Sequence, residues 1–287
     1  MKHLRLTVAT LLGLSFLIGG EAHGSADKVP IFVSILPQKY FVQKIGGNRV
    51  DVSVMVGPGA SPHNYEPKPQ QMVALAEAKI YYAVGIEFEK VWLEKFTGVN
   101  REMLIVYTER GIEKIPLKAH HHGHEGKDPH VWLSPVTVMI QARNILTGLL
   151  VVDPGHRSTY EVNYKQFIME LVDLDAKLIE VFAGKEEKIE FMVFHPAWGY
   201  FADAYGLEQV PVEIEGKEPK PGDLQLLIRR ARDRGIKEVF VSPQFSSKTA
   251  ETVANAIGGH IAFVDPLALD WAENLAEVAT KFKAALR

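Results

Sequence analysis

The feature that most constrains this chain is one long helical stripe near its middle. Tyr160, Tyr164, Phe167, Leu171, Leu174, Leu178 and Val181 recur at spacings of three and four, the interval at which side chains share one helix face. Asp153-Pro154 supplies a start and Gly184 a stop. At about 1.5 Å per residue, residues 153–184 would make a rod of about 45 Å. A rod of that length inside a globular chain is expected to act as a strut between two bodies and to limit hinge motion.

The same pattern stands on both sides of the strut. Short, nearly continuous apolar runs at 29–35, 51–57, 79–85 and 103–108 alternate with helical stretches at about 37–46, 69–78 and 87–97. After the strut come runs at 190–195, 209–214, 238–242 and 260–265, and helices at about 197–205, 222–234, 246–257 and 270–286. Unbroken apolar runs are expected of parallel strands covered on both faces. The fold class is therefore α/β: two doubly wound lobes, each with a roughly four-stranded parallel sheet, joined by one long rigid helix. The expected divisions are a leader at 1–26, an N-terminal lobe at 27–152, the connecting helix at 153–184 and a C-terminal lobe at 185–287.

The leader has the form of a secretory signal. Lys2 and Arg5 precede 13 uncharged residues at 6–18, and small residues follow, with Gly24 and Ala26 placed for cleavage near Ala26. The alternative is a retained N-terminal anchor. A lipid anchor at the cut would need a cysteine, and the chain has none. No later run has 18 uncharged apolar residues, so a soluble periplasmic protein is expected.

Eleven histidines and no cysteine leave imidazole and carboxylate as the only side chains suited to a transition metal. A formal net charge of −3 gives no electrostatic case for nucleic acid. In open α/β sheets ligands bind beyond the carboxyl ends of the strands. His63 lies in the turn-rich loop after the second run, and His130 follows the fourth. His195 ends the first run of the second half, and Asp265 ends the last. Each has a proline neighbour, which restrains the backbone. Three imidazoles and one carboxylate suit zinc(II), and suit it better than magnesium, calcium or manganese. Taken singly, a histidine at a strand end is more often a turn or hydrogen-bonding residue than a ligand, and Asp265 before proline reads equally as a helix cap; the residues alone leave open whether the four converge. Ser134 is placed to cap the helix after His130. Glu66, Trp132 and Trp198 flank the set and are candidates to support or dry it. A second histidine group, His120, His121, His122 and His124, falls in a polar stretch at 118–128 and reads as a loop with accessory metal affinity. His156 and His260 read as structural or exposed.

The motifs SPHNYEP around His63, DPHVWLSP around His130, FHPAWGYFADAYGL from His195, and EGKEPKP at 215–221 resemble those of the metal-specific periplasmic substrate-binding proteins of ABC importers, solute-binding protein family 9 (cluster A-I). The resemblance spans the chain after the leader. The histidine-rich stretch between the first two ligand motifs, and histidine at position 195, resemble the zinc-uptake branch. The resemblance implies a monomeric carrier of zinc(II), with His63, His130, His195 and Asp265 as ligands, that serves an inner-membrane ABC permease. Alternatives are a manganese or other divalent-metal importer component and, from a different class, a zinc-dependent hydrolase. The hydrolase would need an open metal position and a base such as Glu66 or Asp265. The chain carries no H-E-x-x-H, G-x-S-x-G or phosphate-loop motif. A siderophore- or vitamin-binding protein would share the lobes and strut but would want a wide aromatic or basic cleft. A surface adhesin of the same family would want an anchor.

Overall fold

A computed structural model describes residues 28–117, 126–184, 189–213 and 219–285. The first lobe runs β1 (Val29–Val33), α1 (Leu36–Gly46), β2 (Val50–Val54), α2 (Pro69–Leu75), β3 (Ile80–Ala83), α3 (Glu87–Val99), β4 (Leu104–Tyr107) and α4 (Pro135–Val152). Then comes α5 (Arg157–Phe182). The second lobe runs β5 (Ile189–Val193), α6 (Gly199–Ala204), β6 (Leu207–Pro211), α7 (Pro221–Asp233), β7 (Glu238–Val241), α8 (Lys248–Ala256), β8 (His260–Phe263) and α9 (Trp271–Ala285).

Both sheets are parallel and share one strand order, β2-β1-β3-β4 and β6-β5-β7-β8. In the first, Val29 faces Val50, Ile31 faces Ile80, and Ile80 faces Leu104. β3, with sequence IYYA, is buried at every position, which is why it reads as an unbroken apolar run rather than an alternating one. Because every pairing is parallel, the carboxyl ends of all strands in a sheet lie at one edge, where the loops that carry the histidines emerge. Apart from the start of the strut, element ends differ from the sequence reading by three residues or fewer. His195 lies beyond the end of β5, and Asp265 beyond the end of β8.

The strut is shorter than the stripe suggests. α5 has 26 residues, about 39 Å at the ordinary rise, because residues Pro154–His156 form a 3-10 turn in front of it. Asp153 holds that turn: its carboxylate accepts from His156 Nδ1 at 2.8 Å and from the Tyr160 hydroxyl at 2.5 Å. Gly184, with φ of 79°, ends the element in a conformation that other residues adopt only with strain. Ser134 does stand at the start of α4, yet its side chain makes no capping bond. Thr137 Oγ1 turns back instead to the Ser134 carbonyl, at 2.9 Å.

α4 is apolar and long enough to cross a membrane by length and composition. Val138, Ala142, Ile145 and Leu149 bury it against α5 and α1, as a core helix. α5 also packs on α9 of the second lobe. The main apolar core therefore runs without a break from Phe41 and Phe167 through Trp271 to Phe191, Phe201 and Phe282. A smaller cluster around Met192, Val210, Leu227 and Val253 covers the other face of the second sheet.

Candidate metal centre

Three of the four proposed ligands meet between the sheets. His63 is on the loop after β2, His130 stands at the 3-10 turn Val131–Leu133 before α4, and His195 follows β5. Their nearest ligand atoms all lie within 4.8 Å of one another. His63 Nε2 is 3.0 Å from His195 Nε2, which is 3.3 Å from His130 Nε2. Nitrogens held at about 2.0–2.1 Å around a tetrahedral zinc are separated by about 3.3 Å. The spacing is thus that of a coordination shell, and lone pairs that face each other so closely repel unless a cation lies between them.

Each imidazole is held from behind by a carboxylate. His63 Nδ1 is 3.0 Å from Glu87 Oε2, His130 Nδ1 is 2.8 Å from Asp128 Oδ1, and His195 Nδ1 is 2.6 Å from Glu213 Oε2. An acceptor at Nδ1 selects the tautomer with its proton there and leaves Nε2 free to ligate. Asp128 also accepts from the His130 backbone N–H at 2.8 Å, which locks the turn that presents the ring. Phe245, on the loop after β7, stacks on the His195 ring at 4.6 Å and 23°.

Electrostatics favour a cation. Three carboxylates surround three imidazoles within a mostly buried cluster. Burial, reinforced by the neighbouring imidazoles and opposed by the Glu213 bond, brings the His195 pKa down to about 4. The ring is therefore neutral, and able to ligate, at any ordinary pH. Burial pushes the Glu87 carboxyl up, but its hydrogen bond to His63 and the charge on that ring outweigh this and hold it at about 2.

The cavity between the rings is lined by Pro62, His63, His130, Trp132, His195, Gln244, Phe245, Pro266 and Leu267 and has a volume of about 10 Å³. That is close to the space one water-sized particle occupies. Asp265 is not among the lining residues. It is half-buried, and its Oδ1 accepts from Gln244 Nε2 at 2.8 Å and from the Leu267 N–H at 2.9 Å. Glu66 is exposed, and the carboxylate on His63 is that of Glu87 instead. Trp132 lines the cavity, with its ring 5.2 Å from His130. Trp198 is a core residue packed on Phe201 and Phe282. His120, His121, His122 and His124 lie outside the described residues, as do 1–27 and 214–218. The described residues on either side of that stretch pair with each other: Leu117 N–H donates to the Gly126 carbonyl at 2.7 Å, and Asp128 N–H to the Ile115 carbonyl at 2.9 Å. His156 pairs with Asp153, and His260 is an exposed neighbour of Glu238.

Sequence reasoning missed Glu87, Glu213, Gln244 and Phe245. All four follow the rule that located the histidines, since each sits just past the carboxyl end of a strand. Asp128 is in the same DPH motif as His130 and was readable from it.

Two parallel-sheet lobes on one strut, with a three-imidazole cluster between them, define a two-lobed metal-ion-binding protein of the substrate-binding type. The family model for zinc-uptake complex component A, periplasmic (ZnuA), matches residues 31–285, and the chain belongs to that family. The high-affinity zinc uptake system protein ZnuA of Bacillus subtilis is 32% identical over 262 residues, 86% of this chain and 81% of the relative. A crystal structure of ZnuA is 42% identical, with a TM-score of 0.86, covering 91% of this chain and 100% of the other. A zinc-bound deletion mutant of ZnuA is likewise 42% identical, with a TM-score of 0.85, over 91% and 98% of the two chains. The chain is a ZnuA-type zinc-uptake binding protein, and zinc(II) is its ligand.

Proposed function

We propose that this chain captures zinc(II) on His63, His130 and His195 and carries it, as a monomer, to an inner-membrane ABC permease. The observation that carries the assignment is the convergence of three Nε2 atoms from both lobes, each ring backed by its own carboxylate. Imidazoles without a thiolate bind zinc firmly yet release it more readily than a cysteine cage, which suits a carrier. Residues 1–26 are read as an export signal cut near Ala26, with the periplasm as destination. The lobes are read as 27–152 and 185–287. The histidines at 120–122 and 124 are read from the sequence as an accessory capture segment.

The same geometry supports a carrier over a zinc hydrolase. The cavity between the rings, about 10 Å³, is of a size for a single ion. Of the acids suggested as a base, Glu66 is exposed and Asp265 is tied to Gln244 and Leu267. The test is calorimetric titration of the purified chain and of its His63/His130/His195→Ala variant with zinc. One tight site in the parent and none in the variant is expected. A tight site that survives in the variant overturns the assignment.

A further inference from the structure

The histidine cavity has a polar wall that the three imidazoles do not account for. Gln244, on the loop after β7, lines this cavity and also the wider cleft next to it. Its Nε2 donates to Asp265 Oδ1 at 2.8 Å, which fixes which end of the amide is nitrogen. Its Oε1 is buried and has no hydrogen-bond donor. A buried acceptor without a partner is costly and calls for an explanation. Asp265 lines only the neighbouring cleft, together with Asp270 and Glu273. Gln244 therefore stands between Asp265 and the rings.

The arrangement repeats one already seen three times. Glu87, Asp128 and Glu213 each hold the far nitrogen of an imidazole and leave its near nitrogen free. Asp265 holds the amide nitrogen of Gln244 and leaves its oxygen free. We propose that Gln244 Oε1 is the fourth donor to the zinc ion, with Asp265 as the residue that positions it. This rests on the reading that His63, His130 and His195 bind the ion. Four neutral donors leave the ion's charge to be balanced by carboxylates one bond further out. A neutral oxygen holds zinc less tightly than a direct carboxylate, and favours manganese less, because hard cations prefer the anionic oxygen.

The test uses the full chain and four variants, Gln244→Ala, Gln244→Leu, Asp265→Ala and Gln244→Ala/Asp265→Ala. Zinc affinity is read by chelator competition, and the metal's surroundings by the visible ligand-field bands of the cobalt(II)-loaded protein. Gln244→Ala and Gln244→Leu are expected to raise the zinc Kd about tenfold or more and to shift the cobalt bands, with apo melting unchanged. Asp265→Ala is expected to cost about tenfold, and no more than Gln244→Ala does, because it acts through that side chain. The double variant should be no worse than Gln244→Ala, since both act through one atom. Unchanged affinity and bands in both Gln244 variants overturn the proposal. So does a loss confined to Asp265→Ala, which would make Asp265 the direct ligand. His195→Ala separates the two readings: if it keeps full affinity, the histidine assignment itself fails, and this proposal with it.

Discussion

The three imidazoles differ in how firmly they are held, and the differences set what each substitution should do. His195 is buried between Phe245 and Glu213, whereas the His63 side chain is 30% exposed and leans on the half-exposed Glu87. Glu213→Gln is expected to raise the zinc Kd about ten- to a hundredfold through loss of ring orientation; Glu87→Gln, at the wetter end, should cost less. Chelator competition on the two variants checks the order. Acid sensitivity follows from the same residues. His195 titrates near 4 in the fold and near its ordinary value of 6.5 in the unfolded chain. Between those values the unfolded chain binds the extra proton, so apo stability is intact above about 6.5 and is lost as pH falls toward 4. Glu87, held at about 2 against an ordinary 4.5, adds loss below 4.5 in the same direction. Urea midpoints measured from pH 7.5 to 4 should therefore fall with acid, and His195→Gln should flatten the portion above 4.5. A profile identical to the parent's would contradict this account. The histidines were readable in the sequence because each sits by a proline in the connection that follows a strand. Glu87 and Glu213 obey the same rule, but their pairing with the rings was not readable, because they lie 24 and 18 residues from the rings they hold and only the folded sheets bring them together.

At the scale of elements, alternation of apolar runs and helical stripes was enough to place eight strands and the strut. What it could not show was how α5 begins, since that depends on Asp153 reaching both His156 and Tyr160 across a turn. Nor could it show how closely α4 approaches the first sheet. A Cβ built on Gly148 of α4 would lie 2.8 Å from the Tyr82 hydroxyl and 3.0 Å from Val106 Cγ2. The Tyr82 hydroxyl is itself committed to the Ile145 carbonyl at 2.8 Å. Glycine thus allows the helix to sit down on β3 and β4. Gly148→Ala is expected to lower stability by about 1–3 kcal/mol through overpacking, while leaving zinc affinity near that of the parent. Denaturant titration together with a zinc titration checks both halves of the statement. A stability gain, as an unconstrained Gly-to-Ala change in a helix would give, would show the contact to be loose.

The whole molecule is tied across the cleft by more than the strut. Trp132 Nε1–H, on the first lobe, donates to the Pro266 carbonyl on the second at 2.7 Å, and Trp271 Nε1–H returns to the Trp132 carbonyl at 2.7 Å. On the other flank the Tyr200 hydroxyl donates to the Asp128 carbonyl at 3.0 Å. These bonds are buried, and the main core runs through them from lobe to lobe. Opening the cleft by rotation would break all of them and expose apolar core, whereas displacing the half-exposed His63 loop breaks little. Zinc entry should therefore leave the lobes in place. Small-angle scattering profiles of the apo and zinc-loaded chain are expected to superimpose. Trp271→Phe, which keeps the ring packing but leaves the Trp132 carbonyl unpaired, should cost about 1–3 kcal/mol and let the apo profile expand. Zinc should then contract the variant, because an ion held from both lobes stabilises the closed form by mass action. A parent protein that contracts on binding zinc as a two-domain clamp does would mean that the indole bonds and the shared core yield more easily than their burial implies.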